Sequence, residues 1–206
     1  MKVKVKICGI KTIEAAQAAS DAGADFLGLN FVPSSKRYIR PEKAKEIIDN
    51  LSGAAAKVGV FMDADISEIN KLIDYLKLQY VQLHGNESAR YSKLIYNAKI
   101  IKTLSLPFDF DVEEATNKIR RYKADYFLLD REIQGKGELL NPDKVRKLTS
   151  TFPIILAGGL TVGNVGGFVR LTKPKAVDAA GGVETNGVKD KEKIIKFIKE
   201  AKSYDI

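Results

Sequence analysis

The chain has 206 residues, of which 45% are hydrophobic and 29% are charged, and its formal net charge is +8. A chain of this length can bury a full hydrophobic core, as one large domain or two small ones. Its single cysteine, Cys8, excludes an internal disulfide and fits a reducing compartment. We expect a cytoplasmic protein with no membrane partner, because no apolar run approaches the length of a membrane span and no signal-peptide pattern is seen.

The positive charge suits anionic partners, such as phosphorylated metabolites. Many of the lysines, however, share an amphipathic segment with Ile194, Phe197 and Ile198, and a solvated helix face accounts for them. We expect no nucleic-acid partner, because the sequence has neither an RNA-binding aromatic motif nor a clustered arginine stripe.

Strand-like and helix-like patterns alternate along the chain, and no linker divides it. Short apolar segments predict buried parallel strands at Val3–Ile7, Phe26–Phe31, Lys57–Phe61, Tyr80–Leu83, Ile100–Leu104, Tyr126–Leu129, Ile154–Ala157 and Ala176–Asp178. Amphipathic segments predict helices at Ile13–Asp21, Pro41–Asn50, Ile66–Leu76, Glu87–Tyr96, Val112–Tyr122, Pro142–Leu148, Val162–Leu171 and Lys191–Tyr204.

Eight strand–helix units of about 26 residues each predict a compact α/β fold, a single-domain (β/α)8 TIM barrel over residues 1–206. An open doubly wound sheet is the alternative. It usually has fewer strands and a glycine-rich dinucleotide turn after the first one, whereas the turn here begins Cys8-Gly9-Ile10. The closed barrel is therefore favoured.

The first strand predicts a polar barrel interior. Val3, Val5 and Ile7 share one face of the strand, and Lys4, Lys6 and Cys8 share the other. A barrel strand can turn its apolar face towards the covering helices and its polar face into the lumen, which brings Cys8 to the end where barrel enzymes keep their chemistry. A small buried core thiol is the alternative interpretation of Cys8.

Polar residues and glycines follow most of the other predicted strands. Because the carboxyl ends of barrel strands face one mouth, we expect one polar set there, consisting of Cys8, Asn30, Asp63, Gln82, His84, Lys102, Asp130, Asp178 and the glycine pairs 158–159 and 181–182. The loops after strands seven and eight commonly bind phosphate through backbone N–H groups, and Gly158, Gly159, Gly181 and Gly182 lie in these two loops. Tight turns are the alternative use of these glycines.

Four side chains, two of them outside this set, have further candidate roles. Asp130 ends an apolar strand, where burial raises a carboxyl pKa and suits a general acid, although a capping carboxylate fits as well. Arg37 can bind a carboxylate with two parallel hydrogen bonds, or lie on the surface. His84, the only histidine, suits either titration near neutrality or a structural role. Lys6 either lowers the pKa of the Cys8 thiol or pairs with Asp178 on the neighbouring strand.

Over its whole length the chain resembles the phosphoribosylanthranilate isomerase family of tryptophan biosynthesis. The matching motifs are Lys6-Ile7-Cys8-Gly9-Ile10, Ser35-Lys36-Arg37-Tyr38-Ile39, Val81-Gln82-Leu83-His84-Gly85, Leu128-Leu129-Asp130, Ala157-Gly158-Gly159-Leu160 and Gly182-Val183-Glu184. Each motif is short, but their order and spacing are specific.

The resemblance implies an Amadori rearrangement of N-(5-phosphoribosyl)anthranilate without a cofactor or a metal ion. It implies that Asp130 is the general acid that opens the ribose ring, that Cys8 is the general base that removes the proton from C2, and that Arg37 holds the anthranilate carboxylate. Lys6, His84 and Asp178 are expected to support these groups. The small phosphorylated substrate is the expected partner, and the protein is expected to be a monomer or a homodimer.

Two departures from the family pattern concern loops. The family usually has Ser-Ser-Gly-Val-Glu after strand eight, where this chain has Ala180-Gly181-Gly182-Val183-Glu184. The phosphate must then depend more on backbone N–H groups. The family's G-x-G-x-x-F-D-W after strand six is represented by the segment 135–142, which retains the glycines only.

Two other functions remain as alternatives. The related isomerase of histidine biosynthesis uses two aspartates in a larger barrel with two phosphate sites, and Cys8 in the first strand argues against it. A non-catalytic phosphate-binding barrel is the second alternative, and the presence of both Cys8 and Asp130 argues against that.

Overall fold

In the computed structural model, which describes residues 2–132 and 139–204, eight parallel strands close into a barrel. The strands pair in chain order, and the last strand returns to pair with the first. Strands β1 to β8 are Lys4–Cys8, Phe26–Asn30, Ala56–Phe61, Tyr80–Leu83, Lys99–Leu106, Tyr126–Arg131, Ile154–Leu156 and Ala176–Ala179. The predicted (β/α)8 barrel is confirmed, and the open sheet is excluded because it would leave two unpaired edges.

Each strand is followed by a helix that packs outside the barrel. Helices α1 to α8 are Ile13–Asp21, Pro41–Asp49, Ile66–Leu76, Ala89–Ser92, Val112–Arg120, Pro142–Thr149, Val165–Thr172 and Lys191–Ala201. A short antiparallel hairpin of β9 (Glu184–Thr185) and β10 (Val188–Lys189), which was not predicted, lies between β8 and α8. None of the helices in the described ranges is long and apolar enough to cross a membrane.

The largest difference from the predicted elements concerns α4, which has four residues instead of the ten predicted over Glu87–Tyr96. Glu87 belongs to the loop before the helix, where its buried carboxylate accepts hydrogen bonds from the backbone N–H groups of Asp63 (2.9 Å) and Gly85 (3.1 Å). Ser88 caps the helix instead, and Asn97 has a left-handed backbone (φ 60°) beyond its end. The periodicity of this segment was therefore misleading.

The predicted two faces of β1 are confirmed. Val3, Val5 and Ile7 belong to the main core between strands and helices, whereas Lys6 is fully buried on the opposite face of the strand. A second apolar cluster fills the barrel interior and consists of Phe26, Val58, Ile101, Leu128, Ile155, Ala157 and Ala176. Apolar side chains thus fill the middle of the barrel, and the polar residues predicted for the site are expected at its carboxyl end.

A buried ion pair spans the closure of the barrel. Lys6 on β1 and Asp178 on β8 are register partners, and their Nζ and Oδ1 atoms are 3.0 Å apart. Of the two roles considered for Lys6, pairing with Asp178 is therefore observed. The pair lies on the face of β1 that also carries Cys8, so it connects the barrel's closure with the candidate site.

Candidate active site

A cavity of about 320 Å³ opens at the carboxyl end of the barrel. Its lining includes most of the site residues predicted from the sequence, namely Arg37, Asp130, Asp178, Gly158, Gly159, Gly181 and Gly182. A larger cavity of about 680 Å³ lies at the opposite end, beside Ala56, Gln79 and Lys99. Barrel enzymes place their chemistry at the carboxyl ends of the strands. The smaller cavity is therefore the candidate active site.

Cys8 ends β1 and is 8% exposed. Its thiol lies against Gly28 on β2, where an added Cβ would come within 2.8 Å of the Cys8 Sγ. Only glycine leaves room for the thiol at this position. We did not identify Gly28 from the sequence, although a glycine inside the apolar run Phe26–Asn30 is a signal of such a close approach.

Burial raises the pKa of the Cys8 thiol, and the nearby Lys6 ammonium only partly offsets that rise. Asp178 adds to the rise because its negative charge disfavours the thiolate. The two members of the ion pair thus shift the pKa of the thiol in opposite directions. Lys6 does favour the thiolate, as considered from the sequence, but its effect does not exceed that of burial.

Asp130 lies within β6 rather than beyond it, because the strand continues to Arg131. Its Oδ1 accepts a hydrogen bond of 2.8 Å from the Arg131 backbone N–H. Burial raises the pKa of the Asp130 carboxyl, while this hydrogen bond and the nearby His84 act in the opposite direction. A carboxyl group with a raised pKa retains its proton at higher pH, as a general acid requires.

His84 faces Asp130 across the barrel mouth, with its Nε2 at 3.8 Å from the Asp130 Oδ2. Its Nδ1 is 3.0 Å from Nε2 of Gln82, whose amide is buried. Burial lowers the pKa of His84, although Asp130 opposes this effect. A neutral imidazole that accepts the Gln82 hydrogen bond at Nδ1 carries its proton on Nε2, the nitrogen facing Asp130.

Lys102 does not belong to the polar set facing the barrel interior, so that part of the prediction was wrong. Its neighbours Ile101 and Thr103 point inwards, and alternation along β5 turns Lys102 outwards. There its ammonium pairs with Glu87 Oε2 (2.7 Å) and donates to the Gly85 carbonyl (2.6 Å). The buried pair anchors the loop that follows His84.

Asn30 and Asp63 shape the loops of the mouth through local hydrogen bonds. The Asn30 Oδ1 accepts from the Val32 backbone N–H at 2.9 Å, within the loop that leads to Arg37. The Asp63 Oδ1 accepts from the Asn86 backbone N–H at 2.7 Å and joins the loops after β3 and β4. Both residues therefore lie near the mouth, as predicted, and support its backbone.

Arg37 and Glu184 form a bidentate ion pair. The Arg37 Nε and Nη2 atoms donate to the Glu184 Oε1 and Oε2 atoms at 2.7 and 2.8 Å. Lys189 adds a contact of 2.6 Å to the same Oε1 and donates to the Ala180 carbonyl at 3.0 Å. Glu184, which the sequence indicated only as part of a motif, thus links Arg37 to the loop after β8.

Three of the four predicted phosphate-site glycines cannot be replaced without a shift of their surroundings. Gly158 and Gly159 have φ values of 82° and 92°, which L residues rarely adopt. A Cβ on Gly182 would lie 1.8 Å from the Leu160 carbonyl oxygen. Gly181 has no such φ value, so its site tolerates a side chain more readily.

Residues 5–200 match the family model described as N-(5'phosphoribosyl)anthranilate (PRA) isomerase. A protein of that name from Bacillus cereus (strain B4264) is 42% identical over 211 residues, which cover 97% of this chain and 98% of the relative. The crystal structure of phosphoribosyl anthranilate isomerase from Thermotoga maritima is 36% identical and has a TM-score of 0.89, covering 98% of this chain and all of that one. Another solved structure, with a TM-score of 0.86 and 35% identity over the same shares, holds reduced 1-(o-carboxyphenylamino)-1-deoxyribulose 5-phosphate.

The Arg37–Glu184–Lys189 cluster predicts a specific acid dependence of stability. Burial alone would raise the pKa of Glu184, but hydrogen bonds from Arg37 and Lys189 outweigh it and lower the pKa from 4.5 to about 2. A lowered carboxyl pKa stabilises the folded state fully above the unfolded value and progressively less as the pH falls. The wild type should therefore have a higher free energy of unfolding than Glu184→Gln. This difference should be largest above pH 4.5 and should shrink towards pH 2.

Urea denaturation of both proteins between pH 7 and the lowest pH at which they fold measures this difference. Lys43→Gln, which removes one partner of an exposed ion pair, serves as the control. An excess that stays constant down to pH 3 would mean that Glu184 is not held as an anion by the cluster.

Proposed function

The chain belongs to the N-(5'-phosphoribosyl)anthranilate isomerase family, and we propose that Cys8 and Asp130 carry out the proton transfers of its reaction. The reaction is the Amadori rearrangement of N-(5'-phosphoribosyl)anthranilate to 1-(2-carboxyphenylamino)-1-deoxy-D-ribulose 5-phosphate, in the biosynthesis of L-tryptophan. The observation that best supports this assignment is that one cavity is lined both by Asp130, whose carboxyl pKa is raised, and by the two glycine pairs.

Asp130 acts first, as the general acid. It donates its proton to the oxygen of the ribose ring while the anthranilate nitrogen forms a double bond to C1, and the C1–O bond breaks. The resulting Schiff base is cationic, and it acidifies the C–H bond at C2. The raised pKa of Asp130 supports this role because more of the carboxyl remains protonated near neutrality.

Cys8 acts next, as the general base. Its thiolate removes the proton from C2, the electron pair of that bond forms the C1=C2 double bond of an enolamine, and the π electrons of the C1=N bond return to the nitrogen. Return of a proton to C1 and loss of the enol proton give the ketone. Substrate and product are isomers, so the protons balance without an external oxidant, reductant or co-reactant.

Arg37 holds the carboxylate of the anthranilate ring. Glu184 engages the Nε and Nη2 side of the guanidinium. The edge formed by Nη1 and the second hydrogen of Nη2 is then directed away from Glu184 and presents two parallel donors. Glu184 and Lys189 thereby act as positioning residues, which keep the guanidinium in one orientation.

The phosphate lies at the two glycine pairs, Gly158–Gly159 and Gly181–Gly182. These four residues share the lining of the cavity with Arg37 and Asp130. Glycine brings backbone N–H groups close to an anion because it has no Cβ. Lys6 and Asp178 act on the Cys8 thiol through their charges, and His84 faces the Asp130 carboxyl.

The alternatives are less well supported. The histidine-biosynthesis isomerase uses a pair of aspartates, whereas β1 ends in Cys8 here. A non-catalytic barrel has no need for a buried thiol and a buried carboxyl at one mouth. The assignment of residues 1–206 to one domain, the cytoplasmic location and the oligomeric state, monomer or homodimer, stay predictions.

A turnover assay tests the function directly. Purified protein is mixed with N-(5'-phosphoribosyl)anthranilate, and the loss of substrate fluorescence is followed. We expect saturable turnover without added metal or cofactor. Binding of the substrate without turnover would favour the non-catalytic barrel, and turnover of the histidine-pathway substrate alone would favour the related isomerase.

Either Cys8→Ala or Asp130→Asn should lower kcat by about 10²–10⁴, the usual loss when a general acid or base is removed. The folded state should change little, because both substitutions leave a residue of similar or smaller size. Steady-state kinetics and thermal denaturation measure the two effects. Near wild-type turnover in either variant would remove that residue from the mechanism.

Arg37→Lys should raise KM much more than it lowers kcat. The ammonium keeps the charge but loses the planar fork that can bind Glu184 and the substrate carboxylate together. Steady-state kinetics measure the two parameters, and Arg40→Lys, at the exposed residue just before α2, is the matched control. A pure loss of kcat at an unchanged KM would contradict the binding role.

A further inference from the structure

A second guanidinium group lies in the cavity and has no assigned role. Arg131, the last residue of β6, lines the cavity together with both glycine pairs. A Cβ on Gly159 would lie 2.9 Å from the Arg131 Cζ and Nη2 atoms and 3.2 Å from Nη1. The guanidinium group therefore rests against the backbone of Gly159.

We propose that Arg131 is a direct ligand of the substrate phosphate. This inference rests on the proposed function, since it assumes that the glycine pairs bind that phosphate. A phosphate at the Gly158–Gly159 backbone would lie within hydrogen-bond reach of a guanidinium that already contacts Gly159. Guanidinium binds phosphate oxygens through parallel N–H donors, and such charge-assisted hydrogen bonds are stronger than those from neutral groups.

The charges around the cavity make an arginine useful at this position. The carboxylate of Asp178, which lines the cavity, repels a phosphate dianion. Arg131 adds positive charge on the side of the glycine pair of β7, where backbone N–H groups alone supply only partial charges.

The sequence of the loop after β8 points in the same direction. The family pattern has two serine hydroxyls there, and this chain has Ala180 and Gly181 in a segment without hydroxyl groups. Each missing hydroxyl removes one neutral hydrogen-bond donor. Arg131 supplies charged donors to the same phosphate from the side of β7, so it compensates for the loss.

The role of Arg131 was not predictable from strand alternation. Asp130 points into the barrel, and regular alternation along the strand turns the next side chain, Arg131, outwards. At the end of β6, however, the side chain turns over β7, and its Cγ would meet a Cβ on Gly158 at 2.8 Å. The positive φ values of Gly158 and Gly159 thus make room for the arginine as well as for a ligand.

Calorimetric titration tests the proposal with two ligands, reduced 1-(o-carboxyphenylamino)-1-deoxyribulose 5-phosphate and its dephosphorylated counterpart. Arg131→Met should weaken binding of the phosphorylated ligand by about 10- to 100-fold, the range for lost charge-assisted hydrogen bonds. Binding of the dephosphorylated ligand should stay the same. Arg131→Lys keeps the charge but loses the planar guanidinium, so it should weaken binding of the phosphorylated ligand less than Arg131→Met does. It replaces Arg131→Met if that variant does not fold.

Arg170→Met is the matched control, because it removes the same charge from an exposed position at the far end of α7. It should bind both ligands as the wild type does. An equal loss of both ligands in Arg131→Met, or no loss of either, would overturn the proposal. If the wild type itself neither binds nor converts the substrate, the proposed function fails. If the wild type is active and the Arg131 variants bind both ligands equally well, only the inference about Arg131 fails.

Discussion

The Lys6–Asp178 ion pair is the interaction on which both the fold and the site depend. It joins the first and last strands of the barrel inside a largely apolar lumen, with the ammonium and carboxylate 3.0 Å apart. Neither charge is tolerable there alone, since an uncompensated buried charge costs about 3–5 kcal/mol. Cys8 lies two residues beyond Lys6 on the same face of β1, so the pair that closes the barrel also provides the charges that act on the thiol.

The same surroundings determine the protonation states of the two catalytic groups. Burial raises the pKa of Cys8 and of Asp130, so each favours its neutral form. The reaction needs a protonated Asp130, which burial favours. It also needs a Cys8 thiolate, which burial disfavours. Between the two pKa values, a rise in pH increases the thiolate and decreases the protonated carboxyl by the same factor. The active combination therefore has a nearly constant population over that range.

Local pattern predicted the barrel and most of the residues that line its cavity, because strand alternation and glycine placement are local properties. It failed where tertiary partners decide. The outward-facing Lys102 is paired with Glu87, and the same carboxylate binds two loop N–H groups just before α4, so contacts between loops decide the structure there. Glu184 and Arg131 acquire their positions from Arg37 and from the glycine turn after β7, which are far from them in the chain.

The division of labour between Cys8 and Asp130 is the central claim, and a kinetic isotope effect tests it most directly. The measurement compares kcat/KM for N-(5'-phosphoribosyl)anthranilate with hydrogen or deuterium at the sugar C2, in the wild type, Cys8→Ser and Asp130→Asn. A poorer base slows only removal of the C2 proton, so Cys8→Ser should show a larger isotope effect than the wild type. Asp130→Asn slows ring opening, so its isotope effect should not exceed the wild-type value. A larger effect in Asp130→Asn, with none in Cys8→Ser, would contradict the account.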